Sequence, residues 1–175
     1  MKVRQEHKKD TQGEEKFIPI IAEECKRQKI KFGCTPFYID AVKKLEKYVD
    51  FFKIASADIT NIPFLRKIAQ KGKPIVLSTG ASNLDEINIA IDTIQNAGCQ
   101  QLALLHCILN YPTPYEQAHL RMITGLIKDY PNFIIGYSDH TLGIAAPILA
   151  TSYGANILEK HFTLDNNQSK FRDHK

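Results

Sequence analysis

Continuous apolar runs, each closed by polar residues, recur along this chain between segments of helical periodicity. Three of them, PIVLST (74–79), LALLHC (102–107) and IIGYS (134–138), are almost entirely apolar before their last positions. Strands that are apolar at every position are typical of a parallel sheet covered on both faces, because neither side of such a sheet meets water. The pattern predicts an α/β fold made of repeated βα units.

We expect six strands, with helices between them that begin at recognisable capping residues. The strands are predicted at 31–35, 51–56, 74–79, 102–107 and 134–138, with a sixth that ends in Glu159, Lys160 and His161. A helix before the first strand is expected to end near Gln28. Later helices are predicted to begin at an Asp40 N-cap, at a Thr60 or Asn61 cap followed by Pro63, and at a capping box of Ser82 and Asp85, and to occupy 115–129 and 144–153 with Pro147 in a first turn.

The strand ends favour a barrel over an open doubly wound sheet. No GxGxxG follows the first strand, and neither GxxxxGKS nor GxxxxGKT occurs, whereas polar residues close every strand, as around the single mouth of a (β/α)8 barrel. A closed barrel usually needs about 200 residues or more. We therefore predict a partial TIM barrel of six parallel βα units at 17–175, after a polar lead at 1–16. Either two units are missing before residue 17, or the sheet closes or pairs in another way.

Charge and composition narrow the classes of partner. The net charge is +4, and much of the basic excess lies in the first dozen residues, which is typical of a solvated tail rather than a nucleic-acid-binding stripe. The four cysteines form no CxxC pair, and no apolar run approaches the roughly 20 residues that span a bilayer. We expect a cytoplasmic protein with reduced thiols and without a nucleic-acid or membrane partner.

Two histidines close consecutive strands and are candidate metal ligands. His140 and His161 would lie on adjacent strands, close enough to share a divalent cation such as manganese, iron, cobalt or zinc. The alternative is that each histidine is simply hydrogen-bonded in the core. Glu159 points to the same face as His161, where it could be a ligand, a residue that orients a ligand, a general base or the partner of a barrel lysine.

Lys53 lies in the middle of the strand-like run FFKIAS, where an unpaired ammonium is costly to bury. It indicates an anionic ligand or a Schiff base, and the alternative is an ion pair with a carboxylate on a neighbouring strand. Hydroxyls at other strand ends, together with a helix start near residue 82, could hold phosphate oxygens; they belong to Ser56, Ser78, Thr79 and Ser138. His106 and Cys107 are expected to pack or to form local hydrogen bonds.

Six segments, taken together, resemble one enzyme family. They are TPFYIDAV (35–42), FFKIASADITNIPFL (51–65), GKPIVLSTGAS (72–82), LLHCILNYPTPYE (104–116), GYSDHTLGI (136–144) and LEKHFTLD (158–165). In order and spacing they resemble the N-acylneuraminate (sialic acid) synthases. The resemblance implies a TIM barrel that condenses phosphoenolpyruvate with an N-acylated amino sugar such as N-acetylmannosamine. The implied products are phosphate and a nine-carbon 2-keto sugar acid.

The resemblance also implies a role for each matching residue. His140 and His161 would bind the metal, typically manganese, and Glu159 would orient the attacking water. Phosphoenolpyruvate would be surrounded by Thr35, Lys53, Ser56, Ser78 and Ser138. Tyr111 would lie near both substrates, with Asn110 beside the phosphate-binding position, Asp58 as a site carboxylate and Asp173 as the sugar-binding aspartate.

Three departures from the family pattern affect what is expected of this chain. Asp58 stands where many members have glutamate, and NQSKFR (167–172) replaces the usual glycine-proline turn. The chain begins at what resembles the helix before the third barrel strand. The first two strands, with a glutamate and a second substrate-binding lysine, and a downstream antifreeze-like domain are then expected to lie outside it.

The hypotheses left open are a synthase core, a non-catalytic remnant and, less favoured, a metal-dependent barrel hydrolase that uses His140 and His161. We expect little or no turnover from the chain alone. A homodimer is one possible assembly, and the sequence does not indicate the oligomeric state.

Overall fold

The computed structural model describes residues 15–164, in which helices and strands alternate. The strands are β1 (Gly33–Cys34), β2 (Phe51–Ile54), β3 (Ile75–Ser78), β4 (Leu102–Cys107), β5 (Ile134–Asp139) and β6 (Ile157–Lys160). The helices are α1 (Ile18–Arg27), α2 (Ile39–Leu45), α3 (Ile62–Ala69), α4 (Leu84–Asn96), α5 (Arg121–Asp129) and α6 (Ala145–Ser152). Short 3₁₀ turns occupy Glu15–Phe17, Ser56–Asp58 and Tyr115–Gln117.

The six strands are all parallel and neighbour one another in chain order. A doubly wound sheet reverses its strand order at a switch point, whereas a barrel adds each strand beside the last. The sheet is therefore a curled half-barrel, which confirms the predicted α/β class and the partial TIM barrel. All carboxyl ends of the strands lie at one rim, where the polar closing residues meet.

The hydrophobic core lies between the convex face of the sheet and the helices. Phe52, Leu77, Leu104 and Ile135 are at most 1% exposed and belong to one cluster with the inner faces of the helices. Burying a side chain of this size contributes about 1.5–3 kcal/mol. Because side chains alternate along a strand, the residues between them point to the concave face, and this alternation sends Lys53 and Ser78 there.

Two helix starts differ from the prediction by one or two residues. The capping box uses Asn83 and Glu86, each side chain bonding the other's backbone N–H at 2.9 Å, while the Ser82 hydroxyl donates to the carbonyl of Gly80 at 3.3 Å. Tyr38 is the N-cap of α2, and Asp40 lies in its first turn, where a carboxylate still favours the positive end of the helix dipole. Asn61 is the N-cap residue of α3, without a capping bond from its side chain, and Pro147 lies in the first turn of α6, as predicted.

Two other elements are shorter than predicted. Only Gly33 and Cys34 of the expected 31–35 strand pair with β2. The helix expected from residue 115 begins at Arg121, because His119 has a φ of +45°, which interrupts helical geometry after the Tyr115–Gln117 turn. Within residues 15–164, no helix is long and apolar enough to cross a membrane.

Candidate active site

The concave face carries polar side chains near the carboxyl ends of the strands. Ser138 and Glu159 are register partners on β5 and β6, and Lys53 and Ser78 reach the same face from β2 and β3. A cavity of about 960 Å³ lies toward the amino ends of the strands, where Asp50 and Gln101 line it, and Glu159 borders it from β6. The predicted candidates from four strands thus lie on one face of the sheet, nearer its carboxyl ends.

Lys53 links the β3 side of this group to the β6 side. Its Nζ donates to Ser78 Oγ at 2.7 Å and to the Ile54 carbonyl at 3.1 Å, and lies 3.6 Å from Glu159 Oε1. The predicted ion pair with a neighbouring carboxylate is therefore present. Burial lowers the pKa of the Lys53 ammonium, and the negative charge of Glu159 opposes part of that shift. A buried ammonium that one partly exposed carboxylate compensates is suited to receiving an anion.

Glu159 joins the lysine to the histidine pair through Ser138. The hydroxyl of Ser138 donates to Glu159 Oε1 at 2.6 Å, and its oxygen lies 3.5 Å from His140 Nε2. The Glu159 side chain is 41% exposed, so part of it meets solvent. Lys53, Glu159, Ser138 and His140 form a continuous row across the rim.

His140, His161 and Tyr111 pack as an aromatic cluster at the end of this row. The ring centroid of His140 lies 4.0 Å from that of Tyr111 and 5.4 Å from that of His161, and the Tyr111 and His161 rings meet edge-on at 5.8 Å. The prediction that the two histidines of adjacent strands lie together is met in this geometry.

The His140 ring is held in a form that suits a metal ligand. Its Nδ1 donates to the carbonyl of Ile108 at 2.6 Å, which fixes the tautomer, and the single proton of Ser138 is engaged with Glu159. Neither bond uses the lone pair of His140 Nε2, and a backbone carbonyl on the other ring nitrogen is the usual support of a metal-binding histidine. Within residues 15–164, no cluster of three or more His, Cys, Asp or Glu is arranged to hold a metal. The described residues therefore supply two imidazoles, and a metal at this position would need its remaining ligands from other oxygen donors.

The supports of His140 in the segment after β4 were not foreseen from the sequence. Besides the Ile108 carbonyl, the backbone N–H of Thr113 donates to the His140 carbonyl at 2.8 Å. The Tyr115 hydroxyl donates to the Leu142 carbonyl at 2.5 Å. Backbone partners of this kind leave no residue-type signal in the sequence.

Ser56 occupies a different environment from the other candidate hydroxyls. It is buried, its Oγ accepts from the Gly80 backbone N–H at 3.0 Å, and it lies 3.1 Å from Cys107 Sγ. These contacts tie the end of β2 to the ends of β3 and β4. In this structure the Ser56 hydroxyl links the ends of these strands. Cys107 is buried against it, in agreement with the prediction that Cys107 packs or forms a local hydrogen bond.

The remaining candidates are spread around the rim or lie beyond the described residues. Thr35 lines a separate apolar groove beside α2, Asp58 is buried in the turn after β2, and the exposed Asn110 amide donates to Gln117 Oε1 at 3.2 Å. Thr79 bonds the Leu105 carbonyl, and His106 bonds the Ala118 carbonyl. Asp173, with the 167–172 segment, lies outside the described residues.

Gly80 allows the close approach of the strand ends beneath the site. A Cβ at this position would lie 2.6 Å from Cys107 Sγ, 3.0 Å from Ser56 Oγ and 3.1 Å from the Cys107 carbonyl oxygen. We expect Gly80→Ala to lower the free energy of unfolding by about 1–3 kcal/mol, the usual cost of overpacking. Chemical denaturation measures this change in the free energy of unfolding.

A matched control for Gly80→Ala is Gly125→Ala in α5, where a Cβ would meet nothing within 4 Å. That change should stabilise the protein, because alanine favours a helix by about 1 kcal/mol over glycine. Adding Cys107→Ala should recover part of the Gly80→Ala loss. Equal stability of Gly80→Ala and the parent chain would contradict the packing described here.

Comparison with known proteins assigns the chain to a family. The NeuB family model matches residues 2–175. The chain belongs to the NeuB family. An uncharacterised relative from Methanocaldococcus jannaschii is 47% identical over 158 residues, which are 89% of this chain and 46% of the relative. The N,N'-diacetyllegionaminic acid synthase of Campylobacter jejuni is 44% identical over 153 residues, which are 86% of this chain and 45% of that enzyme.

A solved NeuB-type structure supports the same assignment. The N-acetylneuraminic acid (sialic acid) synthetase of Leptospira borgpetersenii, solved with citrate, superposes with a TM-score of 0.86 at 35% identity. The match covers 91% of this chain and 56% of that one. The chain spans about half the length of the proteins it matches, and its family includes sugar acid synthases.

Proposed function

We propose that this chain carries the phosphoenolpyruvate and metal side of a sugar acid synthase site. In the proposed reaction, C3 of phosphoenolpyruvate forms a bond to the aldehyde carbon of an open-chain N-acylated amino sugar. Water adds to C2, and phosphate leaves as the C2 ketone forms. One proton of the water goes to the sugar oxygen and the other to the phosphate. The row from Lys53 through Glu159 and Ser138 to His140 carries this proposal, because it puts an anion-binding group beside two imidazoles.

The anion side of the site consists of Lys53 with its hydroxyl neighbour Ser78. The ammonium already donates to Ser78 Oγ at 2.7 Å and lies 3.6 Å from Glu159. A phosphate or carboxylate oxygen can accept from the same ammonium with charge assistance, which roughly doubles the strength of such a bond. Because burial lowers the lysine pKa, a bound anion restores preference for the charged form.

The metal side consists of His140 and His161. Their nitrogens would hold a divalent ion, with manganese as the ion expected from the family, and a bound metal would polarise the sugar aldehyde as a Lewis acid. His140 is oriented for this role by the Ile108 carbonyl on Nδ1 and by the Tyr111 ring against its face. A barrel hydrolase could use the same two histidines, but it leaves Lys53 with Ser78 unexplained.

Glu159 is the group best placed to orient the attacking water. One carboxylate oxygen accepts from Ser138, and the side chain lies between Lys53 and the histidines while part of it is exposed to solvent. A carboxylate held at such a point can align a water and accept its proton. The metal and anion sides would then present the two substrates on either side of this group.

In the grafted enzyme described in the next paragraph, Glu159→Gln is expected to lower kcat by about 10²–10⁴-fold, the range for loss of a positioned acid–base group. Phosphoenolpyruvate affinity should be kept or increased, because a negative charge beside Lys53 is removed while the shape is retained. Steady-state kinetics with equilibrium binding separates the two effects. Glu46→Gln is the matched control, since Glu46 bonds Lys71 at 2.6 Å, away from the rim. Equal losses in both variants would argue against the role of Glu159.

The experiment that tests this function uses a graft, because the chain aligns with only 45% of the Campylobacter jejuni enzyme. The aligned 153 residues of that enzyme are replaced by their counterparts from this chain. Phosphate release is then measured with manganese, phosphoenolpyruvate and N-acetylmannosamine or a 6-deoxy diacetamido sugar. We expect release that requires the sugar and disappears in a His161→Ala graft. A folded graft that binds phosphoenolpyruvate but releases no phosphate would instead favour the non-catalytic alternative.

A further inference from the structure

A buried ion pair lies on the face of β5 and β6 opposite the candidate site. Lys160 Nζ donates to Asp139 Oδ2 at 2.5 Å and to the Thr141 carbonyl at 2.8 Å, and Asp139 Oδ1 accepts from the Thr141 backbone N–H at 2.9 Å. The Asp139 side chain is 0% exposed, whereas that of Lys160 is 33% exposed. The aspartate is therefore wholly enclosed and takes its compensating charge from this lysine.

The two residues of this ion pair alternate along β5 and β6 with residues of the candidate site. Asp139 lies between Ser138 and His140, Lys160 lies between Glu159 and His161, and Asp139 and Lys160 are register partners. Because side chains alternate across a strand, the pair joins the backbones of β5 and β6 at the residues between the site side chains. Through Thr141, the lysine also holds the chain on the far side of His140.

The ion pair lies at the end of a strand that is held from one side only. In the part of the chain that the structure describes, β6 pairs with β5 alone, so its position is fixed from one side. The ladder ends at Asp139 and Lys160, and His140 and His161 follow directly after it. The ion pair is thus the last cross-strand tie before the two histidines.

We propose that the Asp139–Lys160 ion pair is a positioning element that sets the separation of His140 and His161 for a shared divalent metal. This positioning role rests on the proposed function only in taking a divalent metal as the ligand of the two histidines. Both side chains leave their strands on the face opposite Ser138 and Glu159. Removing Lys160 leaves the enclosed Asp139 carboxylate without its charge partner, and removing the Asp139 charge releases the partly exposed Lys160 from the end of β5. Either change lets the strand ends rearrange. Outer residues that orient metal ligands typically change metal affinity by about 10–100-fold when they are replaced.

Two variants, one for each residue of the ion pair, test the proposal in the full chain. Asp139→Asn keeps the size of the side chain and its bond from Thr141, and Lys160→Met keeps the aliphatic stem. Manganese affinity, measured by electron paramagnetic resonance of the free ion, should fall by about 10-fold or more in both. Phosphoenolpyruvate affinity, which depends on Lys53, should stay within about threefold of the parent value. Lys71→Met is the matched control, because it breaks the Lys71–Glu46 pair away from the site.

A measurement on the metal-free chain keeps this proposal separate from the proposed function. The rings of His140 and His161 are close enough for a nuclear Overhauser contact. That contact should be present in the parent and in Lys71→Met, and absent in Asp139→Asn and Lys160→Met while thermal unfolding stays cooperative. If the parent binds no manganese, the metal role fails, and this contact alone decides the positioning role.

The proposal is overturned if both variants keep the ring contact, or keep the manganese affinity of a parent that binds the ion. It is also overturned if phosphoenolpyruvate affinity falls as far as manganese affinity, because that indicates general loss of structure. A variant that does not unfold cooperatively is replaced by Lys160→Gln, whose amide can still donate to Thr141. The same losses are expected there, and unchanged values contradict the proposal.

Discussion

Replacing Lys53 with methionine is expected to weaken phosphoenolpyruvate binding by about 100-fold. The ammonium is the buried cation of the concave face, within 3.6 Å of Glu159 and bonded to Ser78, and loss of one partner of a buried charge pair costs about 2–5 kcal/mol. Calorimetric titration measures the affinity. Lys71→Met is the matched control, since that lysine is similarly buried, with 18% of its side chain exposed against 14% for Lys53, and binds Glu46 instead. Equal affinities of Lys53→Met and the parent would contradict the anion site.

Although Lys53→Met should weaken binding, the same substitution should increase the stability of the fold at neutral pH. Burial lowers the pKa of Lys53 below its ordinary value of 10.5 by more than the charge of Glu159 raises it, so the folded chain binds this proton less tightly than the unfolded chain does. The cost of the buried ammonium is fully present below the folded-state pKa and disappears as pH rises through 10.5. Lys53→Met should therefore be the more stable protein at neutral pH, and the difference should shrink at alkaline pH. A destabilised variant at pH 7 would show that the Glu159 and Ser78 contacts outweigh burial.

Replacing His161 with alanine is expected to lower manganese affinity by more than about 100-fold. The change removes one of the two imidazoles of the cluster. Replacing even a residue that only orients a metal ligand typically lowers metal affinity by about 10–100-fold, so losing a ligand should cost more. Competition for free manganese, followed by electron paramagnetic resonance, gives the affinity.

His119→Asn is the control for the His161 variant, because it removes an exposed histidine outside the cluster and asparagine tolerates the φ of +45° at that position. Phosphoenolpyruvate binding in the absence of metal should be unchanged in both variants. If His161→Ala binds manganese as tightly as His119→Asn does, the metal site lies elsewhere.

The fold was accessible from the sequence because one physical requirement recurs along the chain. Runs such as LALLHC must be covered on both faces, and this requirement alone indicates a parallel sheet. The polar ends of those runs then meet at one rim, which predicted that Lys53, Ser138, Glu159 and the two histidines share a space. Their meeting follows from register and alternation, and both are set by the backbone.

Other features depended on packing that residue types do not encode. The Ser56 hydroxyl, expected at the anion site, is held by the Gly80 N–H and lies against Cys107, because Gly80 lets three strand ends approach closely. Asp139 and Lys160 follow site residues in the sequence yet face away from the site. The capping box fell on Asn83 rather than Ser82, since two adjacent residues of similar capping tendency differ only in how the chain enters the helix.

Phosphorus NMR of phosphoenolpyruvate tests most directly whether the anion side and the metal side form one site. Bound manganese relaxes a nearby phosphorus nucleus strongly, so the parent chain is predicted to broaden the resonance of bound phosphoenolpyruvate at low manganese concentration. His161→Ala should bind phosphoenolpyruvate without that broadening, and Lys53→Met should bind manganese without capturing the phosphoenolpyruvate. A parent chain that binds both ligands while the phosphorus resonance stays as sharp as in His161→Ala would contradict the shared site.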